Sequence, residues 1–74
     1  MDWHNHIKVD PDICHGKPCV SGTRVMVTTI LDNLAEGIEK PEIIKNYPSV
    51  TEQDINAVMK YAADLANERV VAFS

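Results

Sequence analysis

Neither proline nor glycine interrupts residues 52–73 in a chain of 74 residues. Within that stretch Ile55, Val58, Met59, Ala62, Leu65, Ala66 and Val70 recur at helical spacing and form one apolar stripe. Gln53, Lys60, Asp64, Asn67 and Glu68 form the opposite face. A helix of roughly 20 residues is about 30 Å long, the width of a whole small domain. Its far end, 69–73, is therefore expected to outrun the monomer's own core. Val70, Val71 and Phe73 there are expected to meet a second chain or to fray. Thr51 can cap the free N–H groups at the start, with Glu52 and Asp54 at the positive helix end. Asp54 also stands where a reciprocal capping contact forms, although it is shorter than the preferred Glu.

Two shorter helices are expected before it. Thr28 or Thr29 can cap one running to Glu36, with Ile30, Leu31, Leu34 and Ala35 on its buried face. Gly37 supplies the left-handed residue that stops it. Pro41 lies in the first turn of the next, Lys40 to Asn46, where its missing N–H costs nothing. Ile43 and Ile44 give that helix its apolar side, and Tyr47-Pro48 ends it.

Residues 1–27 have a different texture. Asp10-Pro11-Asp12, His15-Gly16-Lys17-Pro18 and Ser21-Gly22 punctuate short β-favouring pieces. Two small strands, Ile7–Val9 and Arg24–Val25, are expected, paired and lying on the helices or on another copy of the chain. The whole of 1–74 is thus expected to be one mainly α domain, with a turn-rich β arm (1–27) and a three-helix region (28–74).

Apolar residues make up 45% of the chain and aromatic residues 5%, so the interior must be aliphatic. A domain this small hides only roughly 60% of its unfolded surface, which favours self-association, most simply as a homodimer. No run of about 18 apolar residues is available to cross a membrane. The N-terminus shows no basic segment followed by an apolar one, and the two cysteines do not make a disulfide framework. Reduced thiols and a cytoplasmic setting are the expectation.

The net charge of −4 is unevenly placed. In the arm, Lys8, Lys17 and Arg24 balance Asp2, Asp10 and Asp12, so all the net acidity lies in 28–74. Acidic surface repels phosphate and favours a basic partner.

Four constellations could carry chemistry. His4, His6, His15, Cys14 and Cys19 lack the spacing of a structural zinc site, and no metal or other cofactor is expected. Cys14-His15 are mere neighbours in sequence with no third group to orient them, so catalysis is not expected either. Gly16-Lys17-Pro18 and Gly22-Thr23-Arg24 do not follow the phosphate-loop order. Lys17 and Arg24 could instead anchor a nucleic-acid backbone; otherwise Lys17 is solvated and Arg24 pins its turn through carbonyls. The helix pair 40–46 and 52 onward, with 29–36 as support, suits a helix-turn-helix. In that arrangement Gln53 and Asn56 reach base edges and Lys60 a phosphate, with Thr51 at the helix entry. A plain three-helix core with a solvated outer face fits the same pattern.

The run Ile13-Cys14-His15-Gly16-Lys17-Pro18-Cys19-Val20-Ser21-Gly22-Thr23-Arg24-Val25 has a recognisable combination of turns. With Ile30-Leu31, Leu34-Ala35-Glu36-Gly37, Ile43-Ile44, Tyr47-Pro48, Asp54-Ile55 and Tyr61-Ala62, it resembles the family called domain of unknown function 433. The resemblance runs from about Ile7 to Ala63. Met26 stands where that family often has proline, and Glu39-Lys40-Pro41 shifts its usual cap and proline by one place. The resemblance implies a homeodomain-like or winged-helix-like helix-turn-helix, usually dimeric. It also implies an antitoxin role, with a small nuclease-like toxin as partner and repression of the protein's own promoter. The alternative is a protein-binding or structural helical domain without nucleic-acid activity.

Overall fold

In the computed structural model, the backbone is described for residues 2–73 and side chains for residues 2–67. The expectations for Val70, Val71 and Phe73 therefore lie outside the described side chains. Chain order is a 3-10 turn at Trp3–Asn5, strand β1 (Ile7–Lys8), a tight turn at Cys14–Gly16 and strand β2 (Cys19–Val20). Helices α1 (Val27–Ala35), α2 (Lys40–Asn46) and α3 (Glu52–Phe73) follow. The mainly α, three-helix architecture with a small N-terminal sheet is as expected.

The sheet differs in its partner strand. β1 pairs antiparallel with β2, placing Ile7 opposite Val20 and Lys8 opposite Cys19. The expected second strand, Arg24–Val25, instead folds back beside β2. Val20 N–H donates to the Val25 carbonyl (2.9 Å), and Cys19 bridges Met26. Burial explains the choice: Cys19 and Val20 are 2% and 0% exposed, whereas Arg24 is exposed. Gly22, at φ +78, and the Thr23 hydroxyl build the reversal between them. That hydroxyl donates to the Val20 carbonyl and accepts from Val25 N–H.

α1 starts earlier than a threonine cap implies. Met26 precedes the first helical residue without a side-chain cap, and Val27 N–H instead donates to the Pro18 carbonyl (3.0 Å). The arm thus satisfies one of the donors that every helix start leaves free. At the other end Gly37 takes φ +82, and Ile38 N–H reaches back to the Asn33 carbonyl (3.1 Å). α3 opens on the expected reciprocal cap. Thr51 N–H donates to the Asp54 carboxylate (2.9 Å), and Asp54 N–H donates to the Thr51 hydroxyl (3.1 Å).

The core draws on both strands and all three helices. Ile7, Val20, Val27, Ile30, Ile43, Val50, Ile55 and Val58 form one buried cluster, flanked by Trp3, Leu31, Leu34, Tyr47 and Tyr61. Burial along α3 departs from the stripe read in the sequence. Ile55, Ala57 and Val58 are buried, but Met59 and Leu65 are 37% and 42% exposed. Asp54 and Asp64 are half-buried, because the first residues of the chain lie against them. Trp3 Nε1–H donates to the Asp64 carboxylate (2.7 Å), and its ring meets Tyr61 edge-on at 4.8 Å. His6 Nδ1 bonds the Asp54 carboxylate at 2.8 Å. The segment holding His4 and His6 is thus a docked strap on α3.

Candidate nucleic-acid interface

The sheet, the turns that flank β2 and the α2–α3 connection line an open cleft of about 450 Å³. Ile13 and the buried Cys19 contribute apolar lining; Lys8, Arg24 and Ser49 bring polar groups, and Gly22-Thr23 the turn between strands. Lys8 reaches it because β1 pairs beside β2, and Arg24 because the Gly22-Thr23 reversal projects the next residue outward. Ser49 comes from the connection between α2 and α3. Among the described residues neither Lys8 nor Arg24 has an ion-pair partner; the pairs are His4–Asp2, His6–Asp54 and Lys60–Asp64. Arg24 is exposed and makes no described side-chain hydrogen bond. Ser49 was not singled out by sequence reasoning, and that Lys8 shares a cleft with Arg24 became visible only once the strand pairing was known.

The sequence-derived candidates divide. Arg24 lines the cleft, whereas exposed Lys17 does not; it follows the tight turn, its N–H bound to the Cys14 carbonyl (3.0 Å). Thr51 and Gln53 are exposed at the start of α3, two and four residues beyond Ser49 of the cleft. Asn56 is half-buried, and its Oδ1 accepts from Lys40 Nζ on α2 (2.6 Å). A bidentate contact with adenine uses both the amide oxygen and the amide nitrogen. Asn56 makes one only if Lys40 lets go. Gln53 has no such tie among the described residues. Lys60 pairs with Asp64 one turn on (3.2 Å), in competition with any phosphate.

The acidic Asp54 near the start of α3 is held in place by hydrogen bonds. Burial raises the Asp54 carboxyl, but the Thr51 N–H, His6 and the Thr51 hydroxyl together outweigh it and hold the group below the ordinary carboxylate value. Its charge is thereby committed to the cap and the strap, and Glu52 is left as the exposed acid of the first turn. Because the folded value is depressed, this stabilisation is present above the unfolded aspartate value of about 3.9 and disappears as pH falls through the folded one. Asp54→Asn is expected to be less stable at neutral pH, and the gap from wild type should close on acidification. Thermal melts across that range check this, and curves that stay parallel would contradict it.

The tight turn beside the cleft is strained. Cys14 and His15 take φ +54 and +55 ahead of Gly16 at +78, three left-handed residues in a row. For the two non-glycines this costs roughly 1–2 kcal/mol each. Gly16 N–H to Ile13 and Lys17 N–H to Cys14 hold the turn, and the Cys14 thiol donates to the Arg24 carbonyl (3.3 Å). Among the described residues no group of three metal-ligating side chains occurs, and no helix is long and apolar enough to cross a membrane.

A two-stranded arm built into the core of three helices, with a cationic cleft at the α2–α3 turn, defines a small mainly α architecture. The chain belongs to the DUF433 family, whose model, described as a protein of unknown function, matches residues 7–62. It is similar to the crystal structure of a DUF433 member from Anabaena variabilis ATCC 29413, with a TM-score of 0.77 and 28% identity. That match covers 93% of this chain and 70% of the other. No curated protein matches the chain.

Proposed function

We propose that this protein binds DNA through a helix-turn-helix of homeodomain-like or winged-helix-like kind, as an antitoxin-like repressor of its own promoter, without a catalytic step. The observation that carries the reading is the placing of two unpaired cations, Lys8 and Arg24, with Ser49 in a cleft at the α2–α3 turn. Backbone contacts of this kind position a protein on the duplex, while the exposed start of the following helix reads the groove. Gln53 is the leading base reader, with Thr51 at the helix entry. Asn56 and Lys60 join only on releasing Lys40 and Asp64, and Lys17 extends the backbone contact along the arm.

A second surface, on α3, suits protein partners. Met59 and Leu65 are exposed on α3 within the acidic part of the chain. An apolar contact with an acidic surround fits a second copy of the chain and a basic, nuclease-like toxin, since complementary fields steer association. The proposed setting is the cytoplasm.

Titration of the purified protein against the DNA upstream of its own gene, at several salt concentrations, tests the DNA reading. Binding that is firm at low salt and falls steeply as salt rises is expected. No binding at low salt, or binding indifferent to salt, would sink it. Gln53→Ala should relax sequence preference while leaving the salt slope unchanged; a changed slope with intact preference would reverse the assignment of groove and backbone.

A further inference from the structure

Lys40 is the first residue of α2, and Asn56 lies in the second turn of α3. Their side chains meet at 2.6 Å, and both residues are half-buried. A lysine ammonium has only donors, so the amide oxygen of Asn56 must face it and the Nδ2 group points away. Glu39 and Glu42 stand one and two places from Lys40, yet among the described residues Lys40 forms no ion pair. Its charge rests instead on a neutral amide of another helix. Asn56 has Gln53 three places before it and Lys60 four places after it, both exposed, on one face of α3.

We propose that Lys40 and Asn56 form a latch that ties recognition of an adenine to capture of a phosphate. The proposal rests on the DNA reading above and assigns Lys40 a role in it. In the free protein Lys40 occupies the acceptor that Asn56 needs for adenine. A duplex phosphate offers the ammonium group a charged and therefore stronger acceptor. Once Lys40 turns to it, Asn56 Oδ1 accepts from adenine N6 while Nδ2 donates to N7. The internal hydrogen bond is exchanged for contacts with phosphate and base, and no group of the pair is left unpartnered.

At guanine the exchange fails, because O6 presents an acceptor where Asn56 Oδ1 requires a donor. Releasing Lys40 there would strand a half-buried amide oxygen, which costs more than an unmade surface contact. Lys40 therefore stays on Asn56, and its phosphate contact is not made. The correct base brings a backbone contact with it, so discrimination exceeds what the base edge alone supplies.

The signature is a salt dependence that changes with sequence. The DNA upstream of the gene is compared with copies in which single A·T pairs are replaced by G·C, each titrated at several salt concentrations. At the pair read by Asn56, replacement should weaken wild-type binding about tenfold or more. It should also flatten the slope of log affinity against log salt by about 0.9, the share of one phosphate. Asn56→Ala leaves Lys40 free on every sequence, so the preference at that pair should vanish and the steeper slope should hold on both DNAs. Lys40→Met keeps the aliphatic stem and frees the amide; the preference should remain, with the flatter slope on both DNAs. A wild-type slope that is the same at every replaced pair overturns the latch and leaves DNA binding standing. A slope difference that survives Lys40→Met overturns the role of Lys40. Absence of salt-dependent binding to any of these DNAs overturns the latch and the DNA reading together.

Discussion

Ile55→Ala is expected to lower the melting temperature by about 15–25 °C, enough to leave the domain largely unfolded near body temperature. Ile55 is fully buried in the first turns of α3, in one cluster with Ile30 of α1 and Ile43 of α2. Truncation removes three carbons and leaves a void that rigid neighbours close only in part, at a cost of about 3–4 kcal/mol. A domain of this size has roughly 5 kcal/mol of stability in all. Nothing polar is buried among the described residues, so no hydrogen-bond network compensates for the loss. Thermal and urea unfolding followed by circular dichroism measure the effect. Met59→Ala, at a half-exposed position on the same helix, is the control and should shift the midpoint by only a few degrees. Similar losses for the two variants would mean that α3 presents a different face to the core.

The second large effect concerns the cleft. Replacement of both Lys8 and Arg24 by alanine is expected to weaken binding to upstream DNA on the order of a hundredfold at low salt. A hydrogen bond to a charged group contributes roughly 1.5–3 kcal/mol, about tenfold or more for each cation. Because each phosphate contact releases counterions, the slope of log affinity against log salt should also flatten by about 2. Neither side chain is buried in the core, so the melting temperature should hardly move; a fall like that of Ile55→Ala would disqualify the comparison. Lys17→Ala, outside the cleft lining, is expected to weaken all DNA evenly and by less. A double variant that binds like wild type would remove the cleft from the interface.

Much of the helical frame was legible without coordinates, and the reason is local. Gly37 and Pro41 act through their own backbone restrictions, and the Thr51–Asp54 cap joins residues three apart. Such signals survive any change in tertiary surroundings. The strand partner was not legible in this way. Arg24–Val25 lies in the β-branched-rich run Thr23–Val27, yet Cys19–Val20 pairs with β1 because those two side chains fill the core. Strand preference of this kind reports burial more than backbone conformation. The site shows the same division. Arg24 was singled out from its turn, but Lys8 and Ser49 join it from 16 residues before and 25 after, through contacts that spacing does not encode.

By itself the sequence determined three helices, the cap of the third and the stops of the first two, a turn-rich arm, an aliphatic core and net acidity confined to residues 28–74. Only the tertiary structure decided that the first residues form a strap, through Trp3 to Asp64 and His6 to Asp54 across 61 and 48 positions. It also decided that Asn56 faces Lys40 and that the Cys14 thiol meets the Arg24 carbonyl. Caps and stops are written in neighbouring residues, where each side chain meets its partner as soon as the helix forms. The strap and the cleft exist only when packing brings distant segments together, and many pairings of similar polarity would read the same in the chain.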